Sequence, residues 1–239
     1  MPSFIHFLVV LGLAAIPAII WLIFFLREDT HPEPRGEIIK TFFFGALISV
    51  PVLALQVVFQ KALPESFNNI IFIVIGLALI EETFKFAAAY LAIGHDRAFE
   101  EPIDAMIYMI VAALGFATVE NFFITWSNLP LASYSGILTT LSTLGLRFVG
   151  ATLLHALASG ALGYYWALTH FEHMRHREGF GVLFATTIHA VFNLLMYQFQ
   201  DTQILYPTLF LVVAAAIILT DFEKLKRAEA SNSPPFSQT

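Results

Sequence analysis

Residues 69–93 read NIIFIVIGLALIEETFKFAAAYLAI. The run is long enough to cross a hydrocarbon core of roughly 30 Å, which takes about 20 residues of α-helix. It is continuous rather than alternating, and far longer than a barrel strand, so it reads as a membrane helix. Yet Glu81, Glu82 and Lys85 lie near its middle. An ionisable group at that depth costs about 2.5–3.5 kcal/mol or more, so this one stretch states both the fold and the problem the fold must solve.

The rest of the chain agrees. Of 239 residues, 58% are hydrophobic and only 13% charged, with 25 Phe; a soluble domain carries about 25% charged residues. Mean hydropathy is +0.75. These values exclude a soluble domain and disorder. A net charge of −6 without a basic stripe speaks against nucleic-acid binding. The absence of Cys removes disulfides, thiolate ligands and a thiol nucleophile.

Seven stretches are long and apolar enough to span: about 4–26, 39–60, 69–93, 103–126, 141–168, 180–199 and 204–221. The first lacks a basic n-region and a small-residue cleavage site, and reads as an uncleaved span. Nine basic residues (Arg27, Arg35, Lys40, Arg97, Arg175, Arg177, Lys224, Lys226 and Arg227) fall on one side of this arrangement and only Lys61 on the other. That bias predicts an external N-terminus and a cytoplasmic C-terminus. The expected architecture is an all-α, polytopic helix bundle forming one membrane domain over 1–222. A charged, then Ser- and Pro-rich, disordered cytoplasmic tail follows over 223–239. The compact loops and lack of Cys suit a prokaryotic plasma membrane.

Glu81, Glu82, Lys85, Glu120, Arg147, His155 and His189 all lie inside the spans. Helical rise puts them between roughly 9 and 21 Å from the outer surface, on the third to sixth stretches. Buried charge is accommodated only where it faces charge, other polar groups or water, so these helices are expected to turn toward a shared polar pocket. Glu81–Lys85 and Glu82–Lys85 have i,i+4 and i,i+3 spacing, which lets Lys85 hold one carboxylate while the other stays free. His155–Ser159 and His189–Asn193 repeat the i,i+4 spacing, and Asn121 follows Glu120. Ser159 is expected to bond back to the carbonyl of residue 155, the usual fate of a helical serine.

Carboxylates gathered in low dielectric can serve as a general base, and imidazoles can ligate a metal or donate to an oxyanion. Two His with one Glu can also hold a catalytic zinc that keeps one position open for water. Either way the chemistry points to hydrolysis within the membrane, with a peptide bond as the target. Transport through the same carboxylates, as a proton or cation relay, is the alternative; the lack of an inverted repeat speaks against it. A serine protease is a poor reading, because there is no GxSxG turn and a helical serine is a poorly exposed nucleophile.

The segments EETFK (81–85), EPIDAMIYMIVAALGFATVEN (101–121), LRFVGATLLHALASG (146–160) and HAVFN (189–193) together resemble the PrsW family of intramembrane proteases, distantly similar to the CAAX prenyl protease and Abi families. The resemblance spans about 75–197; Ala105 stands where many members carry Gly. It implies that Glu81 and Glu82 form the catalytic pair, completed by Glu120, His155 and His189, with Asn193 assisting through a hydrogen bond. Lys85, Asn121 and Arg147 would support them. It also implies a membrane-protein substrate and regulated intramembrane proteolysis. Whether the paired Glu works with a divalent metal such as zinc held by His155 and His189, or as a metal-free glutamate-type base, is open at this point, as is the oligomeric state.

Overall fold

The computed structural model describes residues 4–67, 69–128, 134–174, 176–199 and 205–232. Among them every regular element is helical. The long elements are α1 (Phe4–Phe25), α2 (Arg35–Ala62), α3 (Ile70–Ile93), α4 (Pro102–Asn128), α5 (Tyr134–Arg147), α6 (Leu153–His170), α7 (Arg177–Gln198) and α8 (Leu205–Asn232). A π-helical turn, Phe148–Thr152, joins α5 to α6.

Six helical segments among the described residues are long and apolar enough to cross a membrane, and Gly136–His170 counts as one of them. The remaining helix, α3, has ample length at 24 residues. Any membrane-length window of it contains Glu81, Glu82 and Lys85, and those charges alone separate it from the others. The structure is thus the polytopic bundle expected, with one difference in outline. The fifth span is one continuous helical segment that begins before residue 141 and runs through α5, a π turn and α6. A π turn leaves backbone groups out of the i→i−4 ladder. Trp21 on α1 donates its indole N–H to the Phe148 carbonyl at 2.8 Å, tying α1 to this point.

The core is α4. From Ile103 to Phe116 its apolar side chains are at most 1% exposed, and α1, α2, α3, α6 and α8 pack around it. Its residues MIYMIVAALGFAT are apolar on every side, as a helix surrounded by others must be. Close approach is bought with glycine. A Cβ on Gly115 would collide with the Phe42 carbonyl of α2, and one on Gly163 of α6 would come 2.6 Å from the Ala105 carbonyl of α4. These crossings set how near α2 and α6 come to α4, and so where their polar residues lie.

The C-terminal segment differs from expectation. α8 continues as helix to Asn232, ten residues into the predicted tail, while residues 233–239 lie outside the described residues. The reason is tertiary: Phe222 and Leu225 are buried, Lys226 pairs with Glu28 at 2.8 Å, and Glu229 meets His31 at 3.4 Å. The loop before α2 is held against α4 in turn, where Tyr108 donates to Glu33 at 2.6 Å. Burial pushes the Asp29 and Glu33 carboxyls above their ordinary values. His170, His173 and His176 are exposed at and beyond the end of α6, and His173 and His176 adopt left-handed backbone (φ 54° and 65°), so the chain does not continue as helix there. Arg175 lies outside the described residues.

Candidate active site

The site begins on α3. Asn69 caps this helix by accepting the Phe72 N–H at 3.1 Å. Its buried stripe runs Ala78, Glu81, Glu82, Lys85, Ala88, Ala89, Ala92, with the i,i+3/i+4 spacing of one helical face. Alanines above and below let neighbouring helices come close, and the three charges between them face inward rather than toward lipid. Glu82 and Lys85 are fully buried and Glu81 is 7% exposed.

Three other helices meet this stripe. On α7, His189 Nδ1 lies 2.7 Å from Glu82 Oε1, and its Nε2 lies 3.7 Å from Glu81 Oε2. On α6, His155 Nδ1 accepts from Lys85 Nζ at 2.7 Å and lies 3.9 Å from Glu81 Oε2. The two imidazole rings are 5.2 Å apart and nearly perpendicular. On α2, Gln56 Nε2 donates to Glu81 Oε1 at 2.8 Å. Lys85 Nζ also donates to Glu82 Oε1 at 2.7 Å and to Glu81 Oε2 at 3.4 Å. The lysine thus holds Glu82 closely and reaches Glu81 only at long range.

Because Nδ1 of His155 accepts from an ammonium, its proton must sit on Nε2. Nε2 donates to Glu120 Oε2 on α4 at 2.8 Å. Arg147 holds that carboxylate at 3.3 Å, and its Nε donates to Asn121 Oδ1 at 2.5 Å. Asn121 in turn donates to Thr152 in the π turn at 3.2 Å and to the Ala14 carbonyl of α1 at 3.3 Å. Glu120, Asn121 and Arg147 thus stand behind His155 and aim its Nδ1 lone pair at the α3 stripe.

The ligand atoms of Glu81, Glu82, His155 and His189 all lie within 4.8 Å of one another, and all four side chains are buried. Two imidazoles and two carboxylates make a donor set suited to a divalent metal such as zinc. The fit extends to charge: the cluster already holds a cation, the Lys85 ammonium, among its acceptors. The carboxylates differ in freedom. Glu82 is fixed at both oxygens, through Lys85 and His189 on Oε1 and through Ser159 on Oε2 at 2.9 Å. Glu81 is anchored at Oε1 by Gln56, while its Oε2 makes only contacts of 3.4–3.9 Å.

Of the residues expected from sequence, Glu81, Glu82, Lys85, His155 and His189 come together at the centre, Glu120 lies one contact behind, and Arg147 and then Asn121 extend the chain beyond it. Asn193 is half-buried on α7 and makes no hydrogen bond to the others among the described residues. Ser159 corrects its expectation: its hydroxyl leaves the helix backbone and donates to Glu82. Gln56 was missed. A lone amide inside VLALQVVF is a weaker mark than a charge, but the same question of what satisfies it in lipid would have raised it.

A family model described as PrsW family intramembrane metalloprotease matches residues 33–220, which reaches α2 and α8 beyond the motif-bearing core. A protein named Protease PrsW from Oceanobacillus iheyensis is 30% identical over 225 residues, covering 92% of this chain and 95% of the relative. A namesake from Clostridioides difficile is 28% identical over 220 residues, 89% of each chain. One from Geobacillus kaustophilus is 28% identical over 160 residues, 64% of this chain and 63% of its own. No solved structure matches the chain.

Proposed function

The chain belongs to the PrsW family of intramembrane metalloproteases, and from that premise we propose that it is a membrane-embedded endopeptidase whose catalytic centre is the Glu81–Glu82–His155–His189 cluster. The observation that carries the proposal is the convergence of these four buried side chains, drawn from α3, α6 and α7, within one ligand-sized space. Relatives that bear the name of a protease do not favour the transport alternative.

In this reading His155, His189 and Glu82 hold a divalent metal, and Glu81 is the general base. A bound metal would supply a polarised water and charge stabilisation for the tetrahedral transition state. The division of labour between the acids follows from their partners. Glu82 has no unanchored oxygen, as suits a ligand, whereas Oε2 of Glu81 is the loosely held oxygen and belongs to the more accessible side chain of the pair. A base must take a proton from water and pass it to the leaving amine, which needs such an oxygen. Gln56 keeps the other oxygen of Glu81 in place. Glu120 stabilises any positive charge that develops on His155 and fixes its orientation. Asn193 lies one turn beyond His189 on α7.

The substrate is a membrane protein that presents a peptide bond at this depth, and a role in regulated intramembrane proteolysis fits that reading. The chain is one integral membrane domain in a bacterial plasma membrane, oriented with its N-terminus outside and its C-terminus in the cytoplasm, as the basic residues indicate.

The deciding experiment is metal analysis of purified protein beside a cleavage assay on a membrane-protein substrate in liposomes. We expect one divalent ion per chain and loss of both ion and cleavage in His155→Ala and His189→Ala, with membrane insertion intact. Cleavage at the wild-type rate in His189→Ala and Glu82→Ala would reject the assignment.

A further inference from the structure

The side chain at the middle of the proposed metal site is a lysine. Lys85 Nζ lies 2.7 Å from Glu82 Oε1, 2.7 Å from His155 Nδ1 and 3.4 Å from Glu81 Oε2. The face of the Phe116 ring closes the site, with its centroid 4.8 Å from Nζ. An ammonium has three N–H groups and no lone pair. Here it meets three acceptors, which belong to three of the four side chains in the cluster.

We propose that Lys85 is a tethered cation that competes with the divalent metal for the same lone pairs, so that metal binds only as Lys85 withdraws from His155 Nδ1. The proposal rests on the metallopeptidase reading above and adds a determinant of metal affinity to it.

Three considerations support it. The Nδ1 lone pair of His155 accepts one N–H or ligates one metal, but not both. Glu120 pins the opposite nitrogen, so the ring cannot offer a substitute. Charge points the same way. A divalent ion seated on these acceptors beside Nζ would put two cations in close contact in a dry interior, so each disfavours the other's occupancy. Finally, the lysine has a role of its own in the bundle. Two adjacent carboxylates on one turn, without a cation, would repel each other in an apolar interior. Lys85 lets α3 pack in advance of any metal. Its flexible four-carbon stem lets Nζ move without moving the helix. The result is a metal site weaker and more exchangeable than its donor set alone would make it.

The test is zinc titration of purified, chelator-stripped protein in detergent, read by competition with a chromophoric zinc chelator and by thermal melting. Wild type, Lys85→Met and His155→Ala are compared. We expect Lys85→Met to bind one zinc per chain about tenfold or more tightly than wild type. Its metal-free form should melt below wild type and rise further on zinc addition. Zinc affinity in Lys85→Met equal to or below wild type overturns the proposal and leaves the metallopeptidase reading standing. If neither wild type nor Lys85→Met binds stoichiometric zinc, or His155→Ala binds it as wild type does, the metallopeptidase reading itself fails, and this proposal with it. Should Lys85→Met not fold, Lys85→Gln removes the charge while keeping an N–H donor, and is judged by the same affinity comparison.

Discussion

Gln56 and Glu81 meet across α2 and α3, where the buried amide donates to Oε1 at 2.8 Å. That bond decides which oxygen of Glu81 points at the cluster. Gln56→Met removes the donor and leaves a buried carboxylate oxygen unsatisfied, a cost of about 1–3 kcal/mol. We expect kcat to fall about tenfold or more with KM and zinc content little changed. Equal loss of zinc and activity would show that Gln56 supports the whole cluster rather than the base.

The two glutamates separate by their partners. Glu81→Gln is expected to abolish cleavage while retaining bound zinc. Glu82→Gln, which loses the charge and leaves one acceptor oxygen for Lys85, His189 and Ser159, is expected to lose both. Metal content by mass spectrometry beside single-turnover cleavage reads the difference. The reverse pattern would exchange the roles assigned to the pair.

Behind His155, Glu120 accepts from Nε2 at 2.8 Å and is held by Arg147 at 3.3 Å. Glu120→Gln keeps the shape but weakens the charge-assisted bond that orients the ring. Loss of such a partner typically costs about 10–100-fold in metal affinity. A zinc competition assay should therefore show weaker binding in Glu120→Gln with the helical signal unchanged; unaltered affinity would place Glu120 outside the metal-orienting set.

Helix approach makes a separate prediction. A Cβ on Gly163 would meet the Ala105 carbonyl at 2.6 Å and the Met106 Cα at 2.6 Å, both backbone atoms that cannot rotate away. Gly163→Val should cost about 1–3 kcal/mol or more through overpacking, seen as a lower melting temperature in detergent. Since α6 also carries His155 and Ser159, activity should fall with it. A variant with wild-type melting would mean that α4 and α6 sit farther apart.

The absence of cysteine makes orientation directly testable. Glu65 and His173 are both exposed, Glu65 between α2 and α3 and His173 between α6 and α7, connections that the basic residues assign to opposite sides. In intact cells, Glu65→Cys should react with a membrane-impermeant maleimide and His173→Cys should react only after permeabilisation. The opposite result would invert the orientation derived from the basic residues.

Much of this protein is legible along the chain because lipid is an unforgiving solvent. Each apolar run of membrane length declares a helix by itself, and each ionisable residue within one declares a partner elsewhere. That reasoning found Glu81, Glu82, Lys85, Glu120, Arg147, His155 and His189 before any contact was known. It was blind to Gln56, whose amide is cheaper to bury, and to the docking of α8 past Phe222, since polar helical sequence beyond a span looks the same whether it folds back or frays. It placed Ser159 on its own backbone because that bond is available in any helix.

Sequence alone therefore determined that the chain is a membrane helix bundle with a polar centre, because the cost of charge in hydrocarbon is paid residue by residue. Only the tertiary structure decided who meets whom: Ser159 with Glu82, Gln56 with Glu81, Glu120 behind His155, and Lys85 among the acceptors. Those pairings depend on how each helix is rotated and how closely it crosses its neighbours. In a helix such as α4, apolar on every side, periodicity does not mark which face turns inward, and small residues such as Gly115 and Gly163 set the distance.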